Sequence, residues 1–229
     1  MKKRTRKTGR TSDPIEDRHT APERAPHRVF LISPANSAGE RMALVLDPGA
    51  RLPLARAVQG PGAPLGEVFR FASGLYFRGK LAYAEAFARP PDGRSGALVM
   101  APGAGLLAAD ACVTVSDLRS FAAVPVDARE PRFRAPLERD ARALAAMLGA
   151  DAEVVLLGSI ASDKYVEPLL GVFGERLLFP LEFVGRGDMS RGGLLLRAAR
   201  AGVELAYGKV LGAVRHGPKP PRLPPLSGG

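Results

Sequence analysis

The chain has 229 residues, of which 46% are hydrophobic and 24% charged, so it is long and apolar enough to bury one globular core. Its single cysteine, Cys112, excludes an internal disulfide, and no apolar run reaches the roughly 18 residues of a membrane-spanning helix. The basic N-terminal stretch lacks the apolar segment of a secretory signal. These features predict a cytoplasmic protein that has no membrane partner.

The net charge of +10 is concentrated at the two ends of the chain. Residues 1–28 carry nine Lys or Arg against four Asp or Glu, and residues 215–229 carry three Lys or Arg and no acid. Basic arms either bind the phosphates of nucleic acid or remain solvated. We expect a disordered basic tail over 1–27, one domain over 28–214 and a Pro-rich tail over 215–229.

Strand patterns are spread along this central domain. Continuous apolar runs occur at RVFLIS (28–33), GALVMAP (96–102) and AEVVLLG (152–158), a pattern typical of central strands covered on both faces. The segment VELAYGKVL (203–211) partly alternates, which predicts a strand at a sheet edge.

Helical spacing is found between these strands. The helices are predicted at RGKLAYAEAFA (78–88), PLERDARALAAMLGA (136–150), SDKYVEPLLGVFG (162–174) and MSRGGLLLRAARAG (189–202), and the segment 36–70 is helical or irregular. The alternation of strand and helix predicts a single α/β domain whose mixed, largely buried sheet is flanked by helices.

Several kinds of site are excluded by the residues that the chain lacks. The three histidines, His19, His27 and His216, all lie in or beside the ends, so the domain holds no His-based triad and no His-rich zinc site. No Walker A sequence occurs, and no Gly-x-Gly-x-x-Gly follows a strand. We therefore predict no metal and no cofactor, and any chemistry must use Asp, Glu, Ser, Tyr, Lys or Arg.

The first candidate site follows the first predicted strand. That strand delivers Ser33 and Asn36 into a loop, and ligands of open α/β sheets bind at the carboxyl ends of strands. The alternative is that Ser37 caps the helix that follows.

The second candidate site follows the strand at 152–158. Ser162 or Asp163 can cap the next helix, or Asp163 can act as a ligand-binding or general-base carboxylate with Tyr165 nearby. Both interpretations are consistent with the sequence.

The third candidate is the stretch GRGDMSRGG, which precedes the apolar run LLLRAARAG. Backbone N–H groups at a helix start attract anions, and Arg186, Ser190 and Arg191 would add phosphate-binding groups. The alternative is that Asp188 or Ser190 is an ordinary cap beside solvated arginines. The Arg-Gly-Asp triplet also occurs in adhesion ligands, but so short a motif arises by chance, and the predicted compartment opposes that interpretation.

Three segments together resemble the YaaA-type peroxide-stress proteins of bacteria. They are Leu31-Ile32-Ser33-Pro34-Ala35, Ser159-Ile160-Ala161-Ser162-Asp163-Lys164-Tyr165 and Arg186-Gly187-Asp188-Met189-Ser190-Arg191, in the order in which the family has them. Asn36, Ser159, Lys164 and Phe183 stand where the family has Lys, Asn, Glu and Lys. The segment FASGLYFRGKLAYAEAF also resembles an element of small bacterial domains that we take to be related.

The resemblance implies an α/β fold with a positively charged cleft, DNA binding, and protection of DNA from oxidative damage through iron handling. On this hypothesis Arg78, Lys80, Arg186 and Arg191 contact phosphate, and the basic N-terminal arm adds affinity.

A different hypothesis comes from the residues alone. It is an enzyme of the hydrolase or glycosidic-bond type that acts on a nucleotide or nucleobase. Asp163 would be its carboxylate, Ser33, Asn36 and Tyr165 would orient the substrate, and Arg191 would hold a phosphate. Its partner is a small phosphorylated ligand rather than DNA.

Overall fold

The computed structural model describes residues 25–37, 39–221 and 223. Its main feature is a six-stranded sheet, whose strands in spatial order are β4 Gly105–Ala108, β3 Ala97–Ala101, β1 Arg28–Ile32, β6 Glu153–Leu157, β7 Leu177–Pro180 and β8 Tyr207–Lys209. The inner strands β3, β1, β6 and β7 are parallel, and the outer strands β4 and β8 are antiparallel to their neighbours. The predicted α/β fold with a mixed sheet is confirmed.

The strands are short and mostly buried. A separate two-stranded sheet is made of β2 Ala63–Pro64 and β5 Cys112–Val113. Every residue of β1 is buried, as its unbroken apolar sequence predicted.

Eight α-helices surround the sheet within the described ranges. They are α1 Glu40–Leu46, α2 Pro53–Gln59, α3 Leu65–Ala72, α4 Leu75–Phe87, α5 Val115–Ala122, α6 Pro131–Leu148, α7 Asp163–Phe173 and α8 Asp188–Ala201. Helix α4 packs on β1, β3 and α8, whereas α6 packs on β4 and α7, and α7 packs on β7. The right-handed crossover from β1 to β3 runs along the sheet in one direction, and those that lead to β6 and then to β7 run in the other, so the two groups of helices cover opposite faces.

The order of the parallel strands creates a switch point between β1 and β6. The chain first passes from β1 to β3 on one side, then returns across β1 to β6 and continues to β7. Helices therefore diverge above the carboxyl ends of β1 and β6, and open α/β sheets bind their ligands in the crevice left there.

The structure corrects or completes several local predictions. The edge strand is confirmed but covers only Tyr207–Lys209, and the segment 36–70 forms three short helices and β2. Strands β4 and β7 and helix α5 were missed. Both strands are only four residues long, so they carry little periodicity.

The chain turns from β3 into β4 through a hairpin that contains two glycines. Gly103 and Gly105 have φ angles of 80° and 86°, and a Cβ on Gly105 would overlap the Asp140 carboxylate. The same carboxylate accepts a 3.0 Å hydrogen bond from the Leu106 amide. The glycines thus serve the tight turn from β3 to β4.

The predicted tails are described only in part. Residues 1–24 and most of the chain beyond 221 lie outside the described residues. The stretch 215–221 has no regular secondary structure and lies against the domain: the Pro218 carbonyl oxygen would overlap a Cβ placed on Gly185, and Arg215 pairs with Asp163. In the described part of the chain, none of the helices has the length and apolarity needed to cross a bilayer.

Candidate functional site

A polar pocket of about 330 Å³ opens at the switch point between β1 and β6. We call it the Lys80 pocket. It is bounded by the loops that follow β1 and β6 and by the N-terminal ends of α4, α7 and α8. Its polar lining residues are Ser33, Asn36, Ser73, Tyr76, Lys80, Ser159, Lys164, Tyr165 and Asp188.

Three helices begin at the wall of this pocket. Their N-cap residues are Gly74 for α4, Ser162 for α7 and Gly187 for α8, and within the described residues none of these three positions makes a side-chain cap. These N-cap residues therefore place no side-chain cap on the first-turn N–H groups, and the partial positive charge of each helix start attracts anions. Three such ends around one cavity favour an anionic ligand.

Lys80 is the most deeply buried charged side chain of the pocket, with 2% of its surface exposed. Its Nζ donates hydrogen bonds to the Ser33 carbonyl oxygen and to Ser33 Oγ, both at 2.6 Å. The amine also lies 4.4 Å from the centre of the Tyr76 ring. Lys80 therefore reaches from α4 to the last residue of the β1 segment and fixes the floor of the pocket.

Burial determines the protonation of Lys80. Loss of hydration lowers the pKa of Lys80 to about 7, opposed by the carboxylate of Asp188 and assisted by the positive charge of Lys164. The amine can thus give up its proton near neutral pH, as a general base or nucleophile requires.

Two tyrosines stand beside this amine. The Tyr76 hydroxyl is buried, makes no hydrogen bond of good geometry to a described residue, and lies beside the Arg191 guanidinium. Burial raises the pKa of Tyr76 and of Tyr165 above the ordinary range, and the neighbouring Arg191 opposes the effect at Tyr76. Both phenols are therefore neutral donors at physiological pH. A buried phenol at the wall of a pocket can donate a hydrogen bond to a bound ligand.

Gly158, at the end of β6, leaves room for this arrangement. A Cβ at this position would lie 3.3 Å from Ser33 Cβ and 3.5 Å from Tyr165 Cδ2. The absence of a side chain lets the segments that follow β1 and β6 approach each other, and it brings Ser33 and Tyr165 to the same wall.

A second cavity of about 450 Å³ lies on the other side of the α8 start and shares Met189 with the Lys80 pocket. We call it the basic groove. Arg186, Arg197 and Lys219 line it, with no carboxylate among its described lining residues. Arg186 donates to Ser190 Oγ at 3.2 Å and to the Pro221 carbonyl at 3.3 Å. The two cavities together offer cationic and N–H groups on both sides of one helix start.

The structure brings part of the predicted site together. Ser33, Asn36, Lys80 and Tyr165 line the Lys80 pocket, although they come from three separate segments of the sequence. The other predicted residues lie elsewhere. Arg186 and Ser190 line the basic groove.

Asp163 lies outside both cavities. Its side chain is 67% exposed and forms an ion pair with Arg215. Ser162, just before it, is also exposed and does not line the pocket. The carboxylate that faces the pocket is Asp188 instead.

The two remaining arginines have separate roles. Arg191 is buried and donates from Nε and Nη2 to the Phe183 carbonyl at 3.2 and 3.1 Å, so it holds the start of α8 in place. Arg78 is exposed and lines a groove with Arg70 and Arg200. Lys80 is two residues later on α4 and therefore faces the other way.

The capping alternatives find no support in the described part of the chain. Helix α1 begins at Glu40 after Gly39, so Ser37 is not its cap, and the Ser162 side chain makes no cap bond. Asp188 is the first residue of α8 and pairs with Arg191 at 3.5 Å, so the expectation that it is a local cap is wrong.

Sequence reasoning did not select Tyr76, Ser159, Lys164 and Asp188 as site residues. One available signal was that Tyr76 lies four residues before Lys80, on the same helical face. Among the described residues, no group of three or more His, Cys, Asp or Glu side chains is placed to hold a metal ion.

Compared with protein-family models, with curated proteins and with solved structures, the chain matches none.

Proposed function

We propose that this protein binds a phosphorylated ligand of the nucleotide class, with its phosphate in the Lys80 pocket. The observation that carries the proposal is the meeting of three uncapped helix starts around one cavity at the switch point of the sheet. Lys164 supplies a cation from the side of α7.

The remaining polar groups suit the sugar or base of such a ligand. Asn36 and Ser159 lie where the segments after β1 and β6 border the pocket, and Tyr76 offers a buried hydroxyl. The volume of about 330 Å³ is at the lower end of the range for small-molecule sites. A mononucleotide-sized ligand is therefore favoured over a dinucleotide.

The proposal is tested by calorimetric titration with the common 5′-mononucleotides, their nucleosides and inorganic phosphate. We expect at least one mononucleotide to bind about tenfold or more tightly than its nucleoside, because the phosphate supplies the charge that the helix starts attract. Lys164→Met should weaken that binding, whereas Ser162→Ala, at the same helix start but outside the pocket, should not. Equal affinity for nucleoside and nucleotide would contradict the proposal.

DNA is the second candidate partner, and the basic groove is the observation that favours it. Arg186, Arg197 and Lys219 present positive charge without a lining acid among the described residues, next to a chain end that is itself basic. The YaaA resemblance supports the same partner and, with it, a role in protecting DNA under peroxide stress.

Salt dependence tests DNA binding. Removal of one cationic side chain that binds a phosphate should reduce the slope of log affinity against log salt by about one. Arg186→Ala with Arg197→Ala should lower the slope for a duplex by about two, whereas Arg119→Ala with Arg142→Ala, which removes two exposed charges elsewhere, should leave it unchanged. The peroxide role predicts that a deletion strain is sensitive to peroxide and is rescued by the wild-type chain.

A further inference from the structure

Ser33 and Lys80 form a hydroxyl–amine pair at the floor of the pocket. Lys80 Nζ lies 2.6 Å from Ser33 Oγ and 2.6 Å from the carbonyl oxygen of the same residue. Both side chains are buried and both line the cavity. A serine that contacts a buried lysine amine has the nucleophile-and-base arrangement of serine–lysine hydrolytic sites.

We propose that Ser33 is a nucleophile activated by Lys80, and that the pair cleaves a phosphoester of the nucleotide-class ligand. The inference rests on the proposed function for its substrate, but the pairing of hydroxyl and amine stands on its own geometry.

The two contacts of Lys80 fix its orientation. In the neutral amine, one N–H donates to the Ser33 carbonyl oxygen, which leaves the lone pair free to accept the proton of the Ser33 hydroxyl. Burial favours this neutral form, the positive Lys164 supports it, and the negative Asp188 opposes it. The Tyr76 and Phe77 rings cover the amine, and Tyr165 borders Ser33.

The reaction balances with water as its only co-reactant. Ser33 Oγ transfers its proton to Lys80 Nζ and forms a bond to phosphorus, while the bond from phosphorus to the ester oxygen breaks. The leaving oxygen takes the proton from the Lys80 ammonium, which produces an alcohol and a phosphorylated Ser33. Water then attacks the phosphorus and gives a proton to Lys80, while the bond from phosphorus to Ser33 Oγ breaks. The Lys80 ammonium returns that proton to Ser33 Oγ, which restores the hydroxyl and the neutral amine as phosphate leaves.

The pocket provides the charge stabilisation that phosphoryl transfer needs. Charge grows on the oxygens around phosphorus in the transition state, and fixed N–H donors at those oxygens lower the barrier. The uncapped starts of α4, α7 and α8 supply such donors at the cavity that contains Ser33. This anion-attracting environment favours the phosphorus of a phosphoester as the electrophile.

A fluorophosphonate probe tests the pair without knowledge of the natural substrate. Such a reagent bonds to an activated serine oxygen with loss of fluoride, and peptide mass spectrometry identifies the modified residue. We expect modification of Ser33, at a rate that rises about tenfold per pH unit below the Lys80 pKa of about 7 and levels off above it.

Variants test whether Lys80 activates Ser33 or whether the probe modifies Ser33 only because that serine is accessible. Ser33→Ala should remove the modification, and Lys80→Met should slow it by about a hundredfold or more. Ser116→Ala, at an exposed serine of α5 that lies outside the pocket, should leave the rate unchanged. If Lys80→Met does not fold, the pH dependence of the wild-type rate decides the role of the amine.

The outcomes separate the two proposals. Nucleotide binding without modification of Ser33, or a rate independent of pH and of Lys80, overturns the nucleophile and leaves the binding proposal intact. Modification of Ser33 without nucleotide binding supports the pair and overturns the nucleotide substrate. Release of phosphate from the bound mononucleotide by the wild type, and not by Ser33→Ala, supports both.

Discussion

Gly79 of α4 and Gly192 of α8 meet where the two helices cross. A Cβ on Gly79 would lie 2.5 Å from the Gly192 carbonyl oxygen, and a Cβ on Gly192 would lie 2.6 Å from the Leu75 carbonyl oxygen. The backbones therefore approach more closely than any side chain allows. This crossing places the starts of both helices at the Lys80 pocket and turns Lys80 toward Ser33.

Replacing either glycine should separate the helices. We expect Gly79→Ala to lower the free energy of unfolding by about 1–3 kcal/mol, because backbone rather than a flexible side chain must move. The control is Gly171→Ala in α7, where nothing lies within 4 Å, and which should stabilise the protein by roughly 0.5–1 kcal/mol through helix propensity. Urea unfolding of both variants measures these changes. Equal changes in unfolding free energy for the two variants would contradict the close backbone contact between α4 and α8.

The buried Lys80 predicts a pH-dependent stability. Its pKa is about 7 when folded and 10.5 in its ordinary state, so between these values the unfolded chain binds more protons. Raising the pH through this window therefore stabilises the folded state, by at most about 1.4 kcal/mol per pH unit. The buried tyrosines, whose pKa values are raised, oppose the trend only near pH 10 and above.

Comparison with Lys80→Met isolates this effect. The difference in unfolding free energy between wild type and variant should change in favour of the wild type as the pH rises from 7 to 9. Urea titrations at pH 6, 7, 8 and 9 measure it. Parallel curves for the two proteins would show that Lys80 keeps its ordinary pKa.

The buried hydroxyl of Tyr76 predicts a gain of stability on its removal. Tyr76→Phe should raise the unfolding free energy by about 1 kcal/mol, because a buried donor without a hydrogen bond of good geometry is removed. Tyr83→Phe is the matched control. The Tyr83 hydroxyl contacts Tyr207 Oη at 2.6 Å and accepts a hydrogen bond from the Leu205 amide at 2.8 Å. Its removal should therefore lower the unfolding free energy by about 1–2 kcal/mol. If Tyr76 binds the ligand, Tyr76→Phe also weakens nucleotide affinity.

Asp163→Asn tests the enzyme hypothesis that was based on this carboxylate. Its side chain is exposed and paired with Arg215, outside the pocket, so we expect less than about 1 kcal/mol change in stability and unchanged nucleotide affinity. Calorimetry and an activity assay on the variant measure this. Loss of turnover with the fold intact would restore Asp163 as the reacting carboxylate.

The sequence alone determined the strands and helices that have strong periodicity. The unbroken apolar runs of β1, β3 and β6 marked central strands, and the partial alternation near Tyr207 marked an edge, because burial on two faces or one leaves a direct pattern in the residues. Short strands such as β4 and β7 left too few residues for such a pattern. Ser33, Asn36 and Tyr165 could be selected because each follows a recognisable strand.

Only the tertiary structure decided which polar residues share a cavity. Lys80 reaches Ser33 because α4 crosses α8 at two glycines and lies on β1. The two residues are 47 positions apart in the sequence, so no local pattern encodes their contact. The same packing turns Arg78 away and buries Arg191 against Phe183, while Asp188 faces the pocket and Asp163 does not. Residue types set the available chemistry, but the direction of each side chain depends on long-range packing, and that direction selects the site.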